Sequence, residues 1–126
     1  VMEYIISISS NEQADKNIAL TKEILEKEFS NVKFSSVINT KPVGEGYPQR
    51  DFTNTAVSLT SRLNEDEMKD FLCSVEEILG RSPELKKQKI VPVDLDIIIV
   101  GHQIVHKDYA NFSFLRKLIA EIRPFV

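Results

Sequence analysis

With 126 residues, 42% of them hydrophobic and 28% charged, the chain has the length and balance of one soluble domain, 1–126, built on a single core. Its net charge of −3 argues against non-specific binding to nucleic acid or anionic membranes, and no apolar run approaches the ~18 residues that span a bilayer. A lone cysteine, Cys73, rules out a disulfide framework and a cysteine-built zinc site, and the start Val1-Met2-Glu3-Tyr4 lacks a basic n-region, so a reduced, cytoplasmic monomer is expected.

Residues 3–9 read as a strand with Tyr4, Ile6 and Ile8 on one face. Ser10-x-x-Gln13 has the form of a capping box opening a helix, in which Ala14, Ile18, Leu25 and Phe29 recur at helical spacing beside Ile24. Alternation returns over 32–40, which puts Val32, Phe34, Ser36 and Ile38 on one face. Residues 41–50 hold two prolines and two glycines and read as a loop. Over 51–61 another strand sets Val57 and Leu59 on one face and Phe52, Asn54 and Ala56 on the other.

Asn64 is placed to cap a second helix whose first turn holds Glu65, Asp66 and Glu67, as the helix dipole favours. Met68, Phe71, Leu72, Val75 and Leu79 form its apolar stripe, Cys73 reads as a buried thiol within it, and Gly80 suits its C-terminal cap. A lysine-rich loop over 81–91 leads to the apolar strand at Asp94, then come a turn at Gly101-His102, a short strand over 103–106 and a helix marked by Leu115, Leu118, Ile119 and Ile122 that stops before Pro124. The order β-α-β-β-α-β predicts an α+β, ferredoxin-like antiparallel sheet with helices on one face, extended by a short strand and a C-terminal helix.

Four groups of residues bear on chemistry. Asp94 and Asp96 share a strand face about 7 Å apart, and a hard divalent cation such as Mg²⁺ would let both stay ionised; solvated acids at a strand end are the plain alternative. Phe52 and Asn54, beside the loop Thr40-Lys41-Pro42-Val43-Gly44, have the means to stack a flat heterocycle and bond its edge, and equally read as a core ring and a turn amide. Arg81, Lys86, Lys87 and Lys89 suit a polyphosphate or a solvated loop. His102 and His106 have no zinc-like spacing and read as turn histidines.

Together, Tyr4 to Asn11, the run from Ser35 to Gly44, Asp51-Phe52-Thr53-Asn54-Thr55-Ala56-Val57, Glu76 to Arg81, and Asp94-Leu95-Asp96-Ile97 resemble the 6-hydroxymethyl-7,8-dihydropterin pyrophosphokinase family in order and spacing. The resemblance implies a ferredoxin-like core and Mg²⁺-dependent transfer of diphosphate from ATP to the pterin's hydroxymethyl group, with release of AMP. It implies two Mg²⁺ ions on Asp94 and Asp96, with Asp96 also drawing the proton from the attacking hydroxyl. Thr40, Pro42, Val43 and Asn54 correspond to contacts with the pterin's edge, and Phe52 and Phe114 to the two rings that sandwich it. Glu76, Arg81 and Lys87 fall on the nucleotide side, Ile97 beside the adenine, and His106 at a phosphate ligand.

The chain departs from the family pattern in two places. Ser9-Ser10-Asn11 replaces Gly-Ser-Asn at the end of the first strand. After Arg81, where the family places several arginines and a tryptophan, Pro83 and Glu84 stand at basic positions, Gln88 at the tryptophan and Val91 at the last arginine; Lys87 keeps a charge at one of them, but a lysine does not reproduce the bidentate grip of a guanidinium on phosphate. These departures keep two other expectations in play: a pterin- or nucleotide-binding module that transfers nothing, and a ferredoxin-like interaction domain that pairs through a sheet edge.

Overall fold

The computed structural model describes residues 1–48 and 50–123. Its strands are β1 (Met2–Ser10), β2 (Ser30–Phe34), β3 (Ile38–Thr40), β4 (Phe52–Ser61), β5 (Asp94–Val100) and β6 (Gln103–Ile104). Its helices are α1 (Ala14–Glu28), α2 (Glu65–Ile78), α3 (Pro83–Lys87), α4 (Asp108–Asn111) and α5 (Ser113–Ile122). The strands form one antiparallel sheet in the order β2-β4-β1-β5-β6, with β3 also paired to β4. This is the expected βαββαβ arrangement with its appended strand and helix.

Alternation along the strands divides the apolar residues between two cores. Tyr4, Ile6, Ile8, Val57, Leu59 and Leu95 face α1 and α2, where Ile18, Leu25, Met68, Leu72 and Val75 meet them. Ile5, Ala56, Ile98 and Ile99 face α5 through Leu115, Leu118, Ile119 and Ile122. The two helices of the βαββαβ unit therefore share a face, and the appended α5 covers the other. A shift in the β1–β5 register between Ile5 and Ile6 turns Ile98 and Ile99 toward the same core.

Several local expectations are corrected. The Ser10–Gln13 capping box does not form: Gln13 sits at φ 43 with no side-chain cap, while the Ser10 hydroxyl donates to the carbonyls of Glu12 (3.1 Å) and Val91 (3.4 Å). Ser10 is still the last residue of β1, so its hydroxyl serves the strand end. Ile38 does not share a face with Val32 and Phe34. Phe34 pairs with Val57 but Ile38 with Asn54, a slip of one residue that turns Ile38 to the α5 side. At the break, the Ser35 hydroxyl accepts from the Ala56 amide at 2.8 Å.

The loop over 81–91 contains α3, capped by the Ser82 hydroxyl on the Leu85 amide with Pro83 in the first turn. The last short strand ends at Ile104, and α4 follows it. Cys73 is exposed, because Met68, Leu72 and Val75 set the buried stripe of α2 and leave it about 100° away. The expected box at Asn64 is present: its side chain accepts from the Glu67 amide and Glu67 returns a bond to the Asn64 amide, both at 2.9 Å. Pro124 lies outside the described residues. No helix among the described residues is long and apolar enough to cross a membrane.

Candidate functional site

The β1 pairings decide which side chains meet. Ser9 lies opposite both Asp94 and Asn54, and Ser7 opposite both Asp96 and Ala56. Residues paired this way point to the same side of a sheet, so Asp94, Asp96 and Asn54 share the α5 face. The two carboxylates stand where two cavities meet, one of about 240 Å³ and one of about 640 Å³, and line both.

Thr40, Val43, Phe52, Asn54 and Phe114 all line the smaller cavity, as expected together, whereas Pro42 lines neither cavity. Phe114 is half-buried at its wall beside Phe112, with ring centroids 5.4 Å apart. Asn54 is 4% exposed and its amide is fully engaged. Its Oδ1 accepts from the Ser9 hydroxyl (2.8 Å), and its Nδ2 donates to the Thr40 hydroxyl (2.9 Å) and, at 3.4 Å, to the Ile38 and Phe52 carbonyls. In this state Asn54 fixes the polar end of the cavity, presenting Thr40 and Ser9 beside it. Sequence reasoning missed Ser9, Tyr47, Phe112 and Asp108 at this cavity. Asp108 had a signal, standing two residues after His106; Tyr47 had none, because loop length does not say where a loop folds.

Glu76, Arg81, Ile97 and His106 line the larger cavity. Lys87 does not; the cations there besides Arg81 are Lys69 and Lys86. Arg81 Nη1 donates to Asp94 Oδ1 (2.7 Å), Glu76 Oε2 (3.2 Å) and the Val93 carbonyl (3.3 Å). Glu76 Oε2 also accepts from the Leu95 amide at 2.8 Å, which ties α2 to β5. Burial pushes the Glu76 carboxyl up to about 7 against the pull of the Leu95 amide and Arg81. Burial likewise pushes Asp96 up to about 7, and the charges of Asp94, Asp108 and Glu76 add to it.

An Asp96 carboxyl raised by burial and by acidic neighbours is a place where added positive charge lowers the free energy. The oxygen donors of Asp94 and Asp96 fit a hard divalent ion such as Mg²⁺. Asp96, His106 and Asp108 also bring ligand-type atoms within 4.8 Å of one another. The imidazole, however, is already oriented: His106 Nδ1 accepts from the Asp108 amide at 3.1 Å, which leaves the proton of the neutral ring on Nε2, 3.8 Å from Asp96 Oδ1. His106 thus presents an N–H donor to the junction of the cavities rather than a lone pair. A third cavity of about 680 Å³, between Phe29, Asn31, Arg62 and Phe71 at the opposite end of β1 and β4, contains none of the expected site residues.

The sequence matches the family model described as 7,8-dihydro-6-hydroxymethylpterin-pyrophosphokinase (HPPK) over residues 5–124. It is also similar to the bifunctional protein FolKE of Lactococcus lactis subsp. cremoris (strain MG1363), at 33% identity over 98 residues. That match takes in 71% of this chain and 28% of the relative's length.

Proposed function

The chain belongs to the 7,8-dihydro-6-hydroxymethylpterin-pyrophosphokinase family, and from that premise we propose that it transfers diphosphate from ATP to 6-hydroxymethyl-7,8-dihydropterin, with Mg²⁺ held by Asp94 and Asp96. The observation that carries this reading is the shared wall: both acids line a small aromatic cavity on one side and a larger, cation-bearing cavity on the other. A flat bicyclic pterin suits the smaller cavity between Phe52 and Phe114, with Thr40 and Val43 at its edge and Asn54 behind them. ATP suits the larger one, with Ile97 against the base and Arg81, Lys86 and the Nε2–H of His106 toward the phosphates. Pro42 and Lys87, outside both linings, would act only through movement of their loops.

In the transfer, the hydroxymethyl oxygen forms a bond to the β-phosphorus, the bond from that phosphorus to the oxygen bridging it to the α-phosphate breaks, and AMP leaves with the electron pair. When bound, Mg²⁺ supplies neutralising charge to the phosphate oxygens and lowers the barrier to nucleophilic approach. Asp96 accepts the hydroxyl's proton. Arg81, anchored by Glu76, holds Asp94 in place at the wall of the larger cavity.

One observation favours a second reading, a binding module that transfers nothing. Arg81 is the only guanidinium in the larger cavity's lining, and it is already bonded to two carboxylates. AMP release decides between the two. The first reading expects AMP from ATP only when both the pterin and Mg²⁺ are present, and none from Asp94→Asn or Asp96→Asn. Calorimetric binding of pterin and ATP without AMP would establish the second.

A further inference from the structure

The loop between Thr40 and Phe52 is held by a residue from the other loop of the site. Tyr47 lines the smaller cavity and meets Phe52 edge to face, with ring centroids 5.6 Å apart. Lys89 Nζ sits 4.7 Å from the centre of the Tyr47 ring and donates to the Glu45 carbonyl. Its stem runs beside Gly46, where a Cβ would stand 3.7 Å from Lys89 Cε. The Lys89 backbone is fixed in turn, at φ 55, with its carbonyl accepting from Asn11 Nδ2 at 3.0 Å. Asn11, 4% exposed at the end of β1, also accepts from the Val91 amide at 2.6 Å. A continuous series of contacts thus runs from the sheet through the segment after α3 to an aromatic ring at the small cavity.

We infer that Tyr47 is a third aromatic wall of the pterin cavity and that Lys89 is the positioning residue that holds it there. The ligand assignment rests on the function proposed above; the Lys89–Tyr47 contact does not. Three features support it. The lysine is spent on a ring and a carbonyl, with no carboxylate among the described residues in its contacts, which is the geometry of an aromatic clamp rather than of a surface ion pair. A left-handed backbone is disfavoured for lysine, yet here it directs the side chain across to the facing loop. Tyr47 also adds stacking or edge contact for a flat heterocycle in a cavity that Phe52 and Phe114 line with it.

The test uses the full chain without Mg²⁺ or ATP, so that transfer is not required. Hydrogen exchange of the amides from Gly44 to Tyr47 should speed up in Lys89→Met, while exchange within β4 stays as in the wild type. Titration with 6-hydroxymethyl-7,8-dihydropterin should show affinity reduced about 3- to 10-fold in Tyr47→Ala and retained in Tyr47→Phe. Lys89→Met should weaken pterin binding about 2- to 5-fold in the wild-type background and have no further effect in Tyr47→Ala, because it acts through the ring. Lys89→Arg should restore binding. Unchanged loop exchange in Lys89→Met overturns the positioning role, and equal or tighter binding in Tyr47→Ala overturns the wall. A wild-type protein that takes no pterin, with loop exchange still faster in Lys89→Met, overturns the substrate and supports the Lys89–Tyr47 contact.

Discussion

Replacing Glu76 with glutamine separates the needs of the fold from the needs of the site. Glu76 is 14% exposed, and its carboxyl is raised from 4.5 to about 7, chiefly by burial. Between these values the folded protein holds a proton that the unfolded chain releases. The stabilisation from that proton is therefore complete below about pH 4.5 and is lost as pH rises through about 7. At ~1.4 kcal/mol per pH unit, the gap between 4.5 and about 7 has a ceiling of about 3.5 kcal/mol; solvent reaching the carboxyl from the cavity side screens it, and about 1–2 kcal/mol is expected. Glutamine mimics the protonated form and keeps an oxygen for the Leu95 amide. At pH 8 without Mg²⁺, Glu76→Gln should therefore raise Tm by about 3–8 °C, with little change at pH 4.5. Thermal melts by circular dichroism from pH 4 to 9 measure both proteins. A wild-type Tm that is flat from pH 5 to 8, together with a lower Tm for the variant at pH 8, would refute the reasoning.

Asp96→Asn should remove the rest of the same pH slope while abolishing Mg²⁺-dependent nucleotide binding, read by melts and by calorimetry. Arg81→Met leaves Glu76 and Asp94 without their shared cation and should cost about 1–3 kcal/mol in chemical denaturation; Arg81→Lys should recover only part of that. Asn54→Ala strands the Ser9 and Thr40 hydroxyls and should cost about 1–3 kcal/mol, with weaker pterin binding by fluorescence titration. Phe114→Ala should lower pterin affinity about tenfold or more with ATP affinity nearly unchanged. Loss of ATP binding as well would mean that the ring supports the whole junction rather than one cavity.

What the sequence made legible follows from what is local. The period-2 alternation of β1 and β4 correctly divided Val57 and Leu59 from Ala56, because one residue of error would have exposed a whole face. The Asn64–Glu67 box needs only four residues and formed. Ser10-x-x-Gln13 has the same form and did not make a box, because β1 runs through Ser10 and the helix begins only at Ala14, with Gln13 in the N-cap position. Ile38 was misplaced because a one-residue slip leaves no mark in an alternating run. Ser82-Pro83-Glu84 does carry a helix-start signal, which reading the segment by its lysines alone passes over. At the site, the same-face relation of Asp94 and Asp96 could be read directly, whereas the division of labour between Lys86 and Lys87, and the arrival of Tyr47, depended on chain folding beyond any short window.

The position of β1 between β4 and β5 makes the sheet a ruler. Asn54 and Asp94 are separated by the two strand spacings on either side of Ser9, roughly 9–10 Å, set by backbone hydrogen bonds that side-chain changes cannot stretch. The loops can alter what closes over the junction, but they cannot alter this reach. The floor between the two walls consists of Ser7 and Ser9, side chains small enough to leave the space open. An alanine at either position would keep that span. A valine or leucine would fill it from below, so natural variation at these two serines should be confined to small residues even where the loops above them diverge.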